Sequence, residues 1–241
     1  PPFTDHIAYP GMGLYLYKHG RLTTIVRCGE VGQNGHGGHA HDDQMSFVLY
    51  ADGEPVIVDP GTGCYTQNIR VRNELRAAGN HNTVTFDDHG ALRFQHGVAG
   101  LFQSQLRGEV SVDGENAKEI VCRHTQPSEL IQRTFRFQAD QLEVVEHVSA
   151  YGCATCWFQL PPRCGIQDMD HPHRINANGF ALRLDYPESP KETLDVGCST
   201  GALGSEAYGR WTRDAGWIAL MFKSSKNSTY RWSISLVEDT P

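Results

Sequence analysis

Apolar side chains in this chain recur at alternate positions over short runs, and the runs are separated by turn residues. Alternation with period two is the signature of a strand with one buried face. Leu14 to Tyr17 and Thr23 to Arg27 predict a first pair of strands, joined through Lys18 to Arg21. Met45 to Tyr50 and Pro55 to Val58 predict a hairpin closed by Asp52-Gly53, the strongest short-range turn signal in the chain. Further strands are predicted at Asn82 to Phe86, Leu101 to Val112, Lys118 to His124, Leu130 to Phe137, Gln141 to Ser149, Thr155 to Leu160, Gly179 to Tyr186, Trp217 to Lys223 and Tyr230 to Val237. One short helix is predicted around Arg70 to Ala78. Residues 1–12 read as the end of a linker, residues 13–241 as one domain, and the stretch 187–209 as a long loop. So many half-buried strands need facing sheets, so the expected fold is all-β: a large antiparallel β-sandwich with very little helix.

Composition agrees with this picture. Charged residues are 20% of the chain and 25 glycines and 12 prolines supply frequent reversals. The formal charge of -7 argues against a nucleic-acid partner, which would favour a basic face. Any site for an acidic ligand must therefore gather its cations locally. The seven cysteines do not follow a disulfide framework, and Cys153 and Cys156 sit in an apolar strand, where buried thiols are expected. No run of about 18–20 apolar residues is present, so no membrane span is expected. The chain opens Pro1-Pro2-Phe3 and is expected to be processed or cut from a longer protein.

The chemistry concentrates in Gly35-His36-Gly37-Gly38-His39-Ala40-His41-Asp42-Asp43-Gln44-Met45-Ser46-Phe47. In an extended chain His39, His41 and Asp43 share a face with Met45 and Phe47, polar at one end and apolar at the other. Asp59 follows three apolar residues and needs a cation or donors nearby. His81 opens the strand that carries Asn82-Thr83-Val84. His41, Asp59 and His81, with a water, would form a four-coordinate site whose donors suit zinc. Twelve histidines make chance pairs common, and spacing alone leaves surface histidines and a metal site equally open.

Gly38 to Phe47, then Tyr50 to Gly53, Val58-Asp59-Pro60-Gly61-Thr62, Arg76 and His81-Asn82-Thr83-Val84, in that order, resemble the C-terminal β domain of heparinase II/III-like polysaccharide lyases. The dense match covers residues 35–86. The resemblance implies a β-supersandwich that follows an α/α toroid, absent from this chain, with substrate in the cleft between them. It implies β-elimination on uronic-acid glycans and a structural zinc on His41, Asp59 and His81. It further implies a catalytic His39 and Arg76 as a contact for an acidic sugar; Asp43 reads equally as a carboxylate that orients a histidine and as an exposed rim residue. Its catalytic tyrosine and that residue's partner would lie on the toroid, so this chain alone is expected to be inactive. A periplasmic or secreted location is also implied. Asn80, in place of a small residue before the His-Asn pair, departs from the family pattern.

Two other readings fit an HxH beside a β-strand. A cupin-type metalloenzyme needs a glutamate shortly after the second histidine, and Glu54 falls beyond the strand. A non-catalytic carbohydrate-binding sandwich would present exposed aromatics. Trp157, Trp217 and Trp232 sit in apolar strands and read as core, whereas Trp211, between Arg210 and Arg213, is the exposed candidate.

Overall fold

A computed structural model describes residues 5–32, 35–62, 65–95, 97, 99–162, 164–167, 173–186, 193–200, 214–224 and 227–237. In chain order the strands are β1 (His6–Tyr9), β2 (Leu14–His19), β3 (Leu22–Arg27), β4 (Ser46–Ala51) and β5 (Glu54–Ile57), then the helix α1 (Ile69–Leu75), then β6 (Val84–Phe86), β7 (Leu92–Phe94) and β8 (Ser104–Leu106). There follow β9 (Glu109–Asn116), β10 (Glu119–Gln126), β11 (Glu129–Gln138), β12 (Gln141–Val148) and β13 (Gly152–Pro162). The chain continues through β14 (Gly165–Gln167), β15 (His173–Ala177), β16 (Phe180–Asp185), β17 (Thr193–Thr200), β18 (Asp214–Ser224) and β19 (Ser228–Leu236).

The strands form a five-stranded sheet β1-β2-β3-β4-β5, an eight-stranded sheet β14-β15-β16-β19-β12-β11-β10-β9, a four-stranded sheet β17-β18-β13-β6, and the pair β7-β8. The five- and four-stranded sheets meet where Val58 N–H, just past β5, donates to Gln159 O on β13 at 2.9 Å. The fold is thus mostly antiparallel β with one short helix, in a sandwich-like arrangement. Phe47 of β4, Phe135 of β11, Phe158 of β13 and Trp232 of β19 meet at its centre, with Phe158 edge-on to Trp232 at 4.8 Å and Phe47 5.9 Å from Phe135. These rings come from all three large sheets, so one core joins them.

The hairpin β4–β5 turns as its sequence requires, with Asp52 and Gly53 both at positive φ (47° and 87°). Asn178-Gly179 does the same between β15 and β16 (48° and 84°). Two differences from the expected layout stand out. Within the 1–12 stretch read as linker, His6–Tyr9 pairs in register with β2, from His6 with Tyr17 to Tyr9 with Leu14. Within 187–209, read as a loop, Thr193–Thr200 pairs with β18. Both lie at sheet edges.

His19, at the end of β2, is 7% exposed; its Nδ1 lies 2.9 Å from Gln138 O and its Nε2 2.8 Å from the Thr24 hydroxyl. Nδ1–H donates to the carbonyl and Nε2 accepts from Thr24, so the neutral ring is satisfied. Burial lowers its pKa despite the Gln138 bond. The unfolded chain therefore binds this proton more tightly. The resulting stability is complete above the unfolded value of about 6.5 and is lost as pH falls through the native value. Urea midpoints measured between pH 7.5 and 5 should fall more steeply for the wild type than for His19→Gln.

Candidate functional site

Residues 35–45 form a loop of turns, not an extension of β4. Met45 takes φ 58°, which breaks the strand before Ser46. The predicted common face is therefore lost: His39 is exposed, His41 and Asp43 are half-buried, and Met45 and Phe47 lie in the core. Loop contacts position the histidines. Gly37, at φ 58°, lies so close to Ser104 Oγ and Val31 that a Cβ would collide with both. Asp42 N–H donates to Arg76 O at 2.8 Å.

Three sequence-predicted residues meet here. His81 Nδ1 lies 2.6 Å from Asp59 Oδ2, and the His41 and His81 rings are 5.2 Å apart. Asp59 comes from the end of β5 and is anchored by Gly61 N–H at 2.8 Å. His81 is fully buried, and its Nε2 has no hydrogen-bond partner among the described residues. The Thr62 hydroxyl lies 3.2 Å from His41 Nε2. Among the described residues no three His, Cys, Asp or Glu side chains are arranged as a metal-binding group. As placed, Asp59 serves His81 Nδ1 and Thr62 meets His41.

The electrostatics follow from this packing. Burial pushes His41 down to about 4, assisted by the charge of His81. Burial opposes both charges of the His81–Asp59 pair, but their mutual attraction and hydrogen bond prevail. The Asp59 carboxyl is held low and the His81 imidazole high. Burial raises Asp43, which interacts electrostatically with His81 and Arg27.

Asn82 explains why a His-Asn pair sits here. Its Nδ2 donates to Phe47 O and Val58 O, both at 2.7 Å, and its Oδ1 accepts from Gln159 N at 2.5 Å. The side chain acts as a peptide group between β4, the end of β5 and β13, and so fixes the adjacent His81. Beneath it, Arg133 of β11 is fully buried and donates to Met45 O at 2.9 Å and Asn82 O at 3.0 Å. Its charge is balanced by Glu146 of β12, 2.6 Å away.

A cavity of about 370 Å3 opens beside this group, lined by Arg27, His39, His41 and Asp43 among others. Arg27 places a cation on the wall of this cavity. It sits at the end of β3, opposite Ser46, so only strand pairing could have revealed it.

Arg76, expected to reach an acidic sugar, is instead 2% exposed. It donates to Gly100 O at 2.8 Å and Leu101 O at 3.2 Å, and its guanidinium lies 3.9 Å over the Phe94 ring. A cation so engaged braces the turn Ala99–Phe102 rather than facing an open cleft. Arg72 is likewise buried. The two lie at i and i+4 on α1 and just past it, on one face. Burial and the neighbouring Arg72 charge lower Arg76 to about 10. Asp42, not singled out in the sequence, is buried, accepts Leu92 N–H at 2.8 Å and is raised by burial to about 7. Trp232 lies in the core as expected, Trp157 is half-buried with Nε1–H donating to Thr85 Oγ1 at 3.0 Å, and the side chains of Trp211 and Trp217 lie outside the described residues. Cys156 faces the core and Cys153 the opposite side, as a strand requires; both are free thiols.

Solved structures of 18% identity or less share the architecture of this chain. A heparinase III described as the BT4657 gene product superposes with a TM-score of 0.74 at 18% identity, covering 99% of this chain and 36% of that one. The heparan sulfate lyase HepC from Pedobacter heparinus, as a mutant, gives 0.73 at 14%, covering 100% and 37%. A putative aldose 1-epimerase from Escherichia coli K12 gives 0.54 at 11%, covering 93% and 98%, so the sandwich by itself does not specify a reaction. No curated protein matches the chain in sequence. Residues 1–233 match the family described as Heparinase II/III-like, C-terminal, and the chain belongs to that family. It spans a little over a third of the heparinase chains it resembles, 36% and 37%. No helix among the described residues is long and apolar enough to cross a membrane.

Proposed function

We propose that this chain is the β domain of a polysaccharide lyase that cleaves uronic-acid glycans by β-elimination, its cleft completed by an α/α toroid of the same protein. The observation that carries this reading is the exposed His39 at the rim of a cavity that also holds the Arg27 cation, backed by the His41–His81–Asp59 group. In β-elimination the weakly acidic C5 proton leaves once the sugar carboxylate is neutralised, and the leaving O4 takes up a proton. Arg27 and His39 offer positive charge and a movable proton on the acidic sugar's side. Asp43 and Asp59 face the histidines, where they stabilise positive charge.

The donor set of His41, Asp59 and His81 suits zinc in its chemistry, two imidazoles and one carboxylate. The unpartnered Nε2 of buried His81 supports a ligand there. Zinc would supply a fixed positive charge and a cross-link between the 39–43 loop, the end of β5 and the approach to β6. Elemental analysis should find about one zinc per chain, reduced severalfold in His41→Ala and His81→Ala. A metal-free wild-type protein prepared without chelator would remove the zinc from this proposal.

The reaction is tested by ultraviolet detection of unsaturated uronate products. The longer protein that carries this chain should form them, and His39→Ala should lower kcat by about 10²–10⁴-fold. The 241-residue chain alone should form none. Product from the isolated chain, or a full rate in His39→Ala, would contradict the assignment.

A further inference from the structure

His39 is exposed, yet its surroundings are built rather than loose. The Tyr65 ring stacks on the imidazole at 5.6 Å with an interplanar angle of 21°, and Phe102 meets it edge-on at 6.2 Å. The Tyr65 hydroxyl lies 3.1 Å from His39 Nδ1 and 3.2 Å from Nε2. Tyr65 is itself 41% exposed, so burial alone does not hold it. A cation does. The guanidinium of Arg72 lies 4.8 Å from the centre of the Tyr65 ring and 5.0 Å from that of Phe102. At that range a partly desolvated arginine attracts an aromatic face by about 0.5–2 kcal/mol.

Arg72 is fixed in turn by carbonyls. It donates from Nε and Nη2 to Leu101 O at 3.3 and 2.9 Å, and from Nη2 to Gly38 O at 3.4 Å. Gly38 immediately precedes His39, so one side chain touches the backbone that carries His39 and the ring that stacks on it. Arg72 is 3% exposed, and no carboxylate is seen among its bonds to these carbonyls. Burying a cation against neutral acceptors is costly, and a purely structural link would not require a permanent charge. The charge has a use here, because it holds aromatic faces.

We propose that Arg72 and Tyr65 form a positioning unit for His39, in which Arg72 clamps the Gly38 carbonyl and the Tyr65 ring while the Tyr65 hydroxyl sets the orientation of the imidazole. The hydroxyl lies within reach of both ring nitrogens and can donate to the bare one or accept from the one that carries hydrogen, so it orients the imidazole without choosing between its tautomers. Neither residue need touch substrate. The proposal rests on the lyase reading only for its consequence in catalysis; the orientation of His39 is a property of this chain.

Two measurements test it. Long-range 1H–15N spectra at fixed pH report the hydrogen bonding of each histidine ring, with His39 assigned by His39→Gln. Tyr65→Phe keeps the ring over Arg72 and removes only the hydroxyl, so it should fold normally and shift the His39 ring 15N resonances, which lose their hydroxyl partner. An unchanged His39 spectrum in Tyr65→Phe overturns the proposal, whatever the enzyme does. In the full-length protein, Tyr65→Phe should lower kcat by about 10- to 100-fold with KM changed little, since misorientation of a reacting group costs on that scale. Arg72→Lys, which keeps the charge but loses the planar fork, should show the same split. If His39→Ala is impaired while Tyr65→Phe retains full kcat, the positioning role fails and the lyase reading stands. If His39→Ala keeps full kcat, the lyase role of His39 fails, and the ring 15N measurement alone decides whether the unit exists.

Discussion

Arg133→Met is expected to destabilise the chain by about 3–5 kcal/mol, the cost of leaving one member of a buried ion pair alone. Arg133 and Glu146 are 0% and 1% exposed at their side chains. Glu146 also accepts from Trp232 Nε1 at 3.2 Å and from the Cys156 thiol at 3.5 Å, so some of its charge is shared when Arg133 is gone. Replacing both charges, as in Arg133→Met with Glu146→Leu, should recover part of the loss, because hydrophobic replacement of a buried pair is often neutral. Recovery should stop short of wild type. Arg133 also serves the carbonyls of Met45 and Asn82, and neither substitution replaces those bonds. Urea denaturation of the three proteins checks both points. A double variant as stable as wild type would show that the two carbonyl contacts contribute nothing.

Asn82→Ala is expected to cost about 3 kcal/mol, since it strands two carbonyls and one amide in the core. These are Phe47 O, Val58 O and Gln159 N, all bonded to one side chain. Asn82→Asp should be worse than its shape suggests, because Phe47 O and Val58 O would then face a carboxylate in place of a donor. The loss should also reach the site, since His81 precedes Asn82 and Asp59 follows Val58. Amide hydrogen exchange at Gln159 should rise in Asn82→Ala while the far end of β13 remains protected. Uniform exchange along β13 would remove Asn82 from its role as a local bridge.

Much of the sheet pattern could be read from the chain because alternation is local. Leu22, Thr24 and Val26 are buried while Thr23 and Ile25 are partly open, and the same rhythm runs through most of β10 and β12 and through β11 apart from the buried Thr134. The Asp52-Gly53 turn was legible for an equally local reason: both residues must take positive φ. The Asn178-Gly179 turn carried the same signal and would have revealed β15. The candidate site was legible as residues: the blocks around His39, His41, Asp59 and His81 stand in an order that resembles one family. Its geometry was less so. His39 and Asp43 were expected on one strand face and lie in a loop, because Met45 ends the strand.

The sequence by itself determined that the chain is all-β, where most of its inner strands run, and which histidines and carboxylates are candidates for chemistry. Each of those follows from neighbours within a few residues. Only the tertiary structure decided the partners of the charged groups. Arg133 meets Met45 and Asn82, Arg72 meets Gly38 and Leu101, and Arg76 meets Gly100 and Leu101, across gaps that no periodicity spans. A cation on a short helix looks solvated in sequence because its acceptors are backbone carbonyls, which every residue carries. Whether such a charge faces solvent or a carbonyl is settled when separate strands and turns close around it.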